Sequence, residues 1–252
     1  MQTFVAPVVG RRVTYSCIAE IPWNIILTSS RNLDKCRKEP DVDREDFVVG
    51  TNAKIGEFVV LGTVPRSANV DKLRIGDNAV IRSHCVIYAG TEIGDNFQAG
   101  HGVLIREENR LGNNVSIGSH SVLERGNRIG NNVRVHSKCF IPEFVVIEDN
   151  VWIGPSSVIL NILHPPCPRF VDCAKSVHIK RNAKIGGNVT IGPRVTIGED
   201  SLIGMGSVVT RDIPPGVLAF GNPARVVKRV DQLTCEPGYF SRPYEWEGCD
   251  RS

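Results

Sequence analysis

Aliphatic residues recur along this chain at every sixth position. Counting from Ile75, the series runs Ile81, Ile87, Ile93, Ala99, Ile105, Leu111, Ile117, Leu123, Ile129, Val135, Ile141, Ile147, Ile153 and Ile159 without a slip. It resumes at Ile179 and continues through Ile185, Ile191, Ile197, Ile203 and Val209, and a shorter run of Ile55 and Leu61 precedes it. A period of six fits neither an amphipathic helix nor an alternating strand. It predicts a short strand and a turn in each hexad. The aliphatic residue points inward, and the Gly, Asn and Asp of segments such as IGDN, IGNN and IGED make the corner. Three hexads close one triangular coil, and coils stack at about 4.8 Å, the spacing of neighbouring strands. The expected fold class is all-β, a parallel β-helix of the hexapeptide type. No coil buries its own core, so stability comes from the stack.

The repeat divides the chain. Residues 1–47 lack it and are expected to cap the first coil. Residues 48–230 carry it, interrupted by a loop over 161–178, NILHPPCPRFVDCAKSVH. The tail, 231–252, holds Tyr239, Phe240, Tyr244 and Trp246 and is expected to dock rather than dangle.

Stepping by whole coils places the polar residues. Hexads starting at 81, 99, 117 and 135 share one face and contain His84, Gln98 just before Ala99, His101, His120 and His136. The next face carries Arg106, Glu107, Glu124, Arg125 and Asn161. Where two such faces meet, at a subunit boundary, a polar cleft for a small molecule is expected. Its substrate-binding candidates are Gln98, Arg106, Glu107, His120, Glu124 and His136. Imidazole titrates near neutral pH, so His101 is also a candidate base.

The loop admits two readings. Spacing of His164, Cys167, Cys173 and His178, with Cys235 as a further ligand, suits a structural zinc. Alternatively His164 is a free general base, and the two roles exclude each other. A net charge of +3 is too mild to argue for nucleic acid. No apolar run has the length of a membrane span. In the opening MQTFVAPVVGRR the charges follow the apolar stretch, the reverse of an export signal. With eight scattered cysteines, a cytoplasmic protein without disulfides is expected.

The hexads, together with IGMGSVVTRDIPPGVLAFGNPARVV near the end, resemble the left-handed parallel β-helix proteins of the hexapeptide-repeat acyltransferase family. The left hand comes with that resemblance and runs against the usual right-handed crossover. The resemblance implies a homotrimer with active sites between subunits and acetyl-coenzyme A as co-substrate. It implies transfer to an amine or hydroxyl of a sugar, in all expectation nucleotide-linked. Gly187, Gly204, Ser207, Arg211, Arg225 and Lys228 would hold the coenzyme. His164, in a His-Pro pair, matches the family's catalytic histidine. Asn161, in VWIGPSSVILNIL, matches a segment of the N-acetyltransferases that act on nucleotide-linked amino sugars. Met205 departs from the pattern, which has a small residue there. The carbonic anhydrases of the γ class share the fold and bind zinc through histidines spaced like His84 and His120. Their third ligand falls at Arg125, so that reading and a non-catalytic binding role are the alternatives.

Overall fold

A computed structural model describes residues 47–66, 70–169, 174 and 176–245. The expected cap, Phe47 apart, lies outside these residues, as do Cys173 and Trp246. Among the described residues there are 26 short strands and one 3-10 turn, Val230–Gln232. No helix among them is long and apolar enough to cross a membrane. Every third strand joins the same sheet, giving three faces, here A, B and C. Ile75 lies opposite Ile93, Ile81 opposite Ala99 and Ile87 opposite Ile105, all parallel and one coil apart. The chain is a parallel β-helix, and the six-residue series fills its interior: Ile81, Ile105, Ile141, Ile153 and Ile185 are among the fully buried side chains.

The corners refine the expectation that glycine makes the turn. In the A-to-B corner the left-handed residue is asparagine in every coil but the last, where it is Asp200. Asn78, Asn96, Asn114, Asn132, Asn150 and Asn182 have φ between 57° and 60°, a region asparagine tolerates better than most residues. Each Nδ2 donates to the Oδ1 of the next coil, as from Asn96 to Asn114 at 2.9 Å and Asn114 to Asn132 at 3.0 Å. The glycine after the inward isoleucine serves close stacking instead. A Cβ on Gly94 would sit 2.9 Å from the backbone of Gly112. Asn114→Ala should therefore destabilise by roughly 2–4 kcal/mol in denaturant unfolding, combining left-handed strain with lost hydrogen bonds. Asn114→Gly, which relieves the strain, should cost clearly less.

Three departures from the coil length occur among the described residues, all at the C-to-A corner; two are insertions, and the last shortens the coil, with Ile197 opposite Ile213, 16 residues on. Ile147 pairs with Ile179, 32 residues on instead of 18, which accounts for the expected loop. Val49 pairs with Ile75, 26 residues on, so a second insertion of eight residues precedes the strand Leu73–Ile75. At the other end the hairpin of Val217–Gly221 and Ala224–Arg229 extends sheet B. Phe220 covers Gly204 there, where a Cβ would lie 2.6 Å from the Phe220 side chain.

Candidate active site

In each two-residue strand the residue before the buried aliphatic one faces outward, so the three faces can be read off. Sheet A presents Arg74, Glu92, Arg110 and Arg128. Sheet B presents Gln98, Ser116, Arg134, Trp152 and Lys184. Sheet C presents Val86, Leu104, Val122, Phe140, Val158 and Val208, with Thr190 the one polar member of that run.

One edge of sheet C is the corner from sheet B. His84, His101 and His120 stand there on three successive coils. His84 and His120 occupy the left-handed position, with φ of 63° and 58°. His84 packs on Phe58 with ring centres 5.0 Å apart. His120 lies over Gly102, where a Cβ would meet its Nδ1 at 2.7 Å. His101 precedes the left-handed position and is held at two points. Its Nδ1 shares a hydrogen bond with Ser83 Oγ at 2.9 Å, and its backbone N–H donates to Ser119 Oγ at 3.0 Å.

His136 stands apart from the other three, immediately after Val135 and against sheet B. Its ring packs on Trp152 at 4.6 Å, and its Nε2 is buried without a hydrogen-bond partner. Burial, then the charge of Arg134, pushes its pKa below the usual histidine range. The unfolded chain therefore takes up this proton first. Stability should be full above about pH 6.5 and fall on acidification through that range. In a thermal-unfolding series against pH, His136→Gln should flatten this decline.

The other edge of sheet C is the corner to sheet A. Arg106 donates from Nε and Nη2 to the two oxygens of Glu107, at 2.8 and 3.0 Å, and from Nη1 to Glu124 at 3.2 Å. Its guanidinium lies 5.2 Å from the Tyr88 ring centre. Glu107 is 5% exposed. Much of the hydrogen-bonding capacity expected for substrate is thus used inside the corner. Glu124 is the more open acid. Burial raises its pKa, Arg106 opposes this, and Glu143 and Glu107 add to the rise. Asn161 begins the loop on this edge, is 6% exposed, and donates from Nδ2 to Glu143 at 2.7 Å. Arg125 lies over Phe144 at 5.3 Å.

The zinc candidates separate. His164 is exposed in the loop, whereas His178 stands on sheet A with Nε2 at 2.7 Å from Glu148. Burial pushes the Glu148 carboxyl up, but the Arg181 N–H and His178 bring it below its ordinary value. Cys167 and Cys235 are partly buried. Among the described residues no three His, Cys, Asp or Glu side chains come together as a metal site.

The coenzyme candidates also sort themselves. Ser207 is fully buried, donates to Gly204 O at 2.6 Å and accepts from the Gly221 N–H at 3.2 Å. Its hydroxyl holds the last coil together and is not offered to a ligand. Gly204 is likewise covered by Phe220. Gly187 remains at a corner beside Pro155, and Arg211, Arg225 and Lys228 are exposed. Met205 projects from the histidine corner's last coil at 83% exposure. Arg134, Trp152 and Lys184 were legible as outward positions of the repeat, yet composition and motif spacing did not single them out.

Residues 176–211 match the bacterial transferase hexapeptide repeat, and residues 72–107 match the hexapeptide repeat of succinyl-transferase. The chain is 32% identical to a maltose O-acetyltransferase from Clostridium difficile 630, over 47% of this chain and 68% of that one, with a TM-score of 0.42. It is 27% identical to a hexapeptide-repeat-containing acetyltransferase from Vibrio cholerae, over 54% and 71% of the two chains, with a TM-score of 0.39. The superpositions are partial, and the assignment rests on the repeat and the sequence identity. The six-residue register, the two repeat matches and the 32% identity together make this chain a member of the hexapeptide-repeat acyltransferase family.

Proposed function

We propose that the protein is a homotrimer that transfers an acetyl group from acetyl-coenzyme A to a hydroxyl or amine of a sugar, nucleotide-linked in the fullest form of this reading. The observation that carries it is the make-up of sheet C: an aliphatic face with histidines on one edge and a carboxylate–guanidinium cluster on the other. An outward-facing, half-buried apolar face of this length marks an interaction surface. When it turns toward a three-fold axis, the contact is heterologous. Each subunit's histidine edge then meets its neighbour's charged edge, and the cleft between them is the active site.

In that cleft His101 takes the proton of the attacking hydroxyl or amine. Ser83 fixes the ring by its Nδ1, leaving Nε2 as the acceptor. The acceptor's oxygen or nitrogen bonds to the thioester carbonyl carbon, the carbon–sulfur bond breaks, and coenzyme A leaves as the thiol after gaining a proton. Backbone N–H groups at a coil corner stabilise the developing oxyanion. Asn161, oriented by Glu143, positions the acceptor or the pantetheine arm. Arg211, Arg225 and Lys228 are the cations available to the coenzyme's phosphates. Much of the acceleration comes from holding both substrates together. The test is thiol release from acetyl-coenzyme A with maltose and with a nucleotide-linked amino sugar. Absence of acetyl-coenzyme A binding by calorimetry would overturn the reading.

A further inference from the structure

The two edges of sheet C carry opposite charge. On the histidine edge the corners at 82–84, 100–102, 118–120 and 136–138 hold Arg82 and Lys138 and no Asp or Glu. On the other edge the corners at 106–108, 124–126 and 142–144 hold Glu107, Glu108, Glu124 and Glu143 against Arg106 and Arg125. Arg106 is committed to Glu107 and Glu124, and Arg125 lies over Phe144. One edge is therefore short of anions and the other short of cations.

Hydrogen bonding sorts the acids coil by coil. Both oxygens of Glu107 accept from Arg106. Glu124 accepts from Arg106 through Oε2, and Glu143 accepts from Asn161 through Oε2. Among the described residues nothing donates to Oε1 of Glu124 or of Glu143. Lys138 is exposed, and among those residues its ammonium has no hydrogen bond or ion pair. Glu143 of the same chain lies across the width of sheet C, roughly 16 Å away at the rise of a strand, so the two do not meet within one copy.

Height along the stack decides what each group faces in a closed ring. A three-fold axis parallel to the stack carries a residue to the next copy without changing its height. A full coil rises about 4.8 Å, so Lys138 and Glu143 differ in height by about 1.3 Å, and His120 and Glu124 by about 1 Å. His101 arrives opposite Arg106 and Glu107. That acid has no free oxygen, so the base keeps its Nε2 for substrate. His84 arrives opposite Tyr88 and Ala89, which carry no charge at neutral pH.

Resting on the trimer reading above, we infer that the subunits lock in register through charge: Lys138 of one copy bonds Glu143 of the next, and His120 donates a ring N–H to that copy's Glu124. Each copy supplies both halves, so the ring closes on identical contacts. Glu143 also holds Asn161, so the lock reaches the residue that begins the loop.

The experiment is sedimentation velocity over a dilution series of the full chain, with circular dichroism as the check on folding. Lys138→Glu sets like charges opposite each other and should raise the concentration at which trimers dissociate at least tenfold. Glu143→Lys should do the same. The double variant restores opposite charges with the sense reversed, and its dissociation concentration should return to within about threefold of wild type. His120→Asp should weaken assembly several-fold, whereas His84→Asp, which faces no charge, should leave it unchanged. A double variant no more stable than either single, single variants that assemble like wild type, or equal effects of the two aspartates would overturn the inference. Each of these results with a trimeric wild type leaves the trimer reading intact, whereas a wild type that stays monomeric at every concentration removes both.

Discussion

Phe140→Glu should convert the proposed trimer into monomers of 27.7 kDa, seen by sedimentation or light scattering, and should lower the proposed transferase turnover at least about 100-fold. Phe140 faces outward from the middle of sheet C, with Val122 and Val158 on the neighbouring strands. A carboxylate there meets two hydrophobic neighbours within its own chain and, in a closed ring, a third across the axis. Burying an unpaired charge costs several kcal/mol per copy, and every copy in the ring suffers it. In the isolated chain the same side chain reaches water, so the strand spectrum by circular dichroism should persist. Turnover falls because the cleft needs both edges of sheet C, one from each subunit. Arg110→Glu is the matched control. It places the same side chain on sheet A, and both assembly and turnover should survive. Monomers from the control, or trimers from Phe140→Glu, would remove sheet C from the interface.

The fold was legible because a solenoid repeats its packing problem at every coil. Each inward position from Ile75 to Ile159 meets the same interior, so the same residue type recurs, and a period of six survives in plain sight. Corner chemistry was half legible. Gly and Asn mark the turns, but only the backbone separates the glycine that lets coils approach from the asparagine that takes the left-handed conformation. Counting by coils also grouped His84, His101 and His120, because the register is unbroken between them. It failed for His178, since the loop before it hides whether the strand belongs to the loop's chemistry or to sheet A. It failed for Ser207 because a small polar residue inside a corner and one facing a ligand look alike in sequence. The insertion of eight residues before Leu73 was missed for a related reason: eight extra residues lie close to one hexad and barely disturb the count.

His101→Ala should lower kcat by about 10²- to 10⁴-fold, the range expected when a positioned general base is lost. Substrate affinity should change little, because the imidazole acts on the proton rather than on the bulk of either substrate. Ser83→Ala tests orientation separately. It leaves the ring in place but frees Nδ1, so kcat should drop several-fold with KM nearly unchanged. His164 provides the opposing case. Its side chain is exposed in the loop, and no described residue orients its ring, unlike His101. His164→Ala should therefore reduce kcat less than tenfold. If instead His164→Ala lowers kcat 10²-fold or more while His101→Ala lowers it less than tenfold, the base belongs to the loop, and the histidine corner serves substrate binding alone.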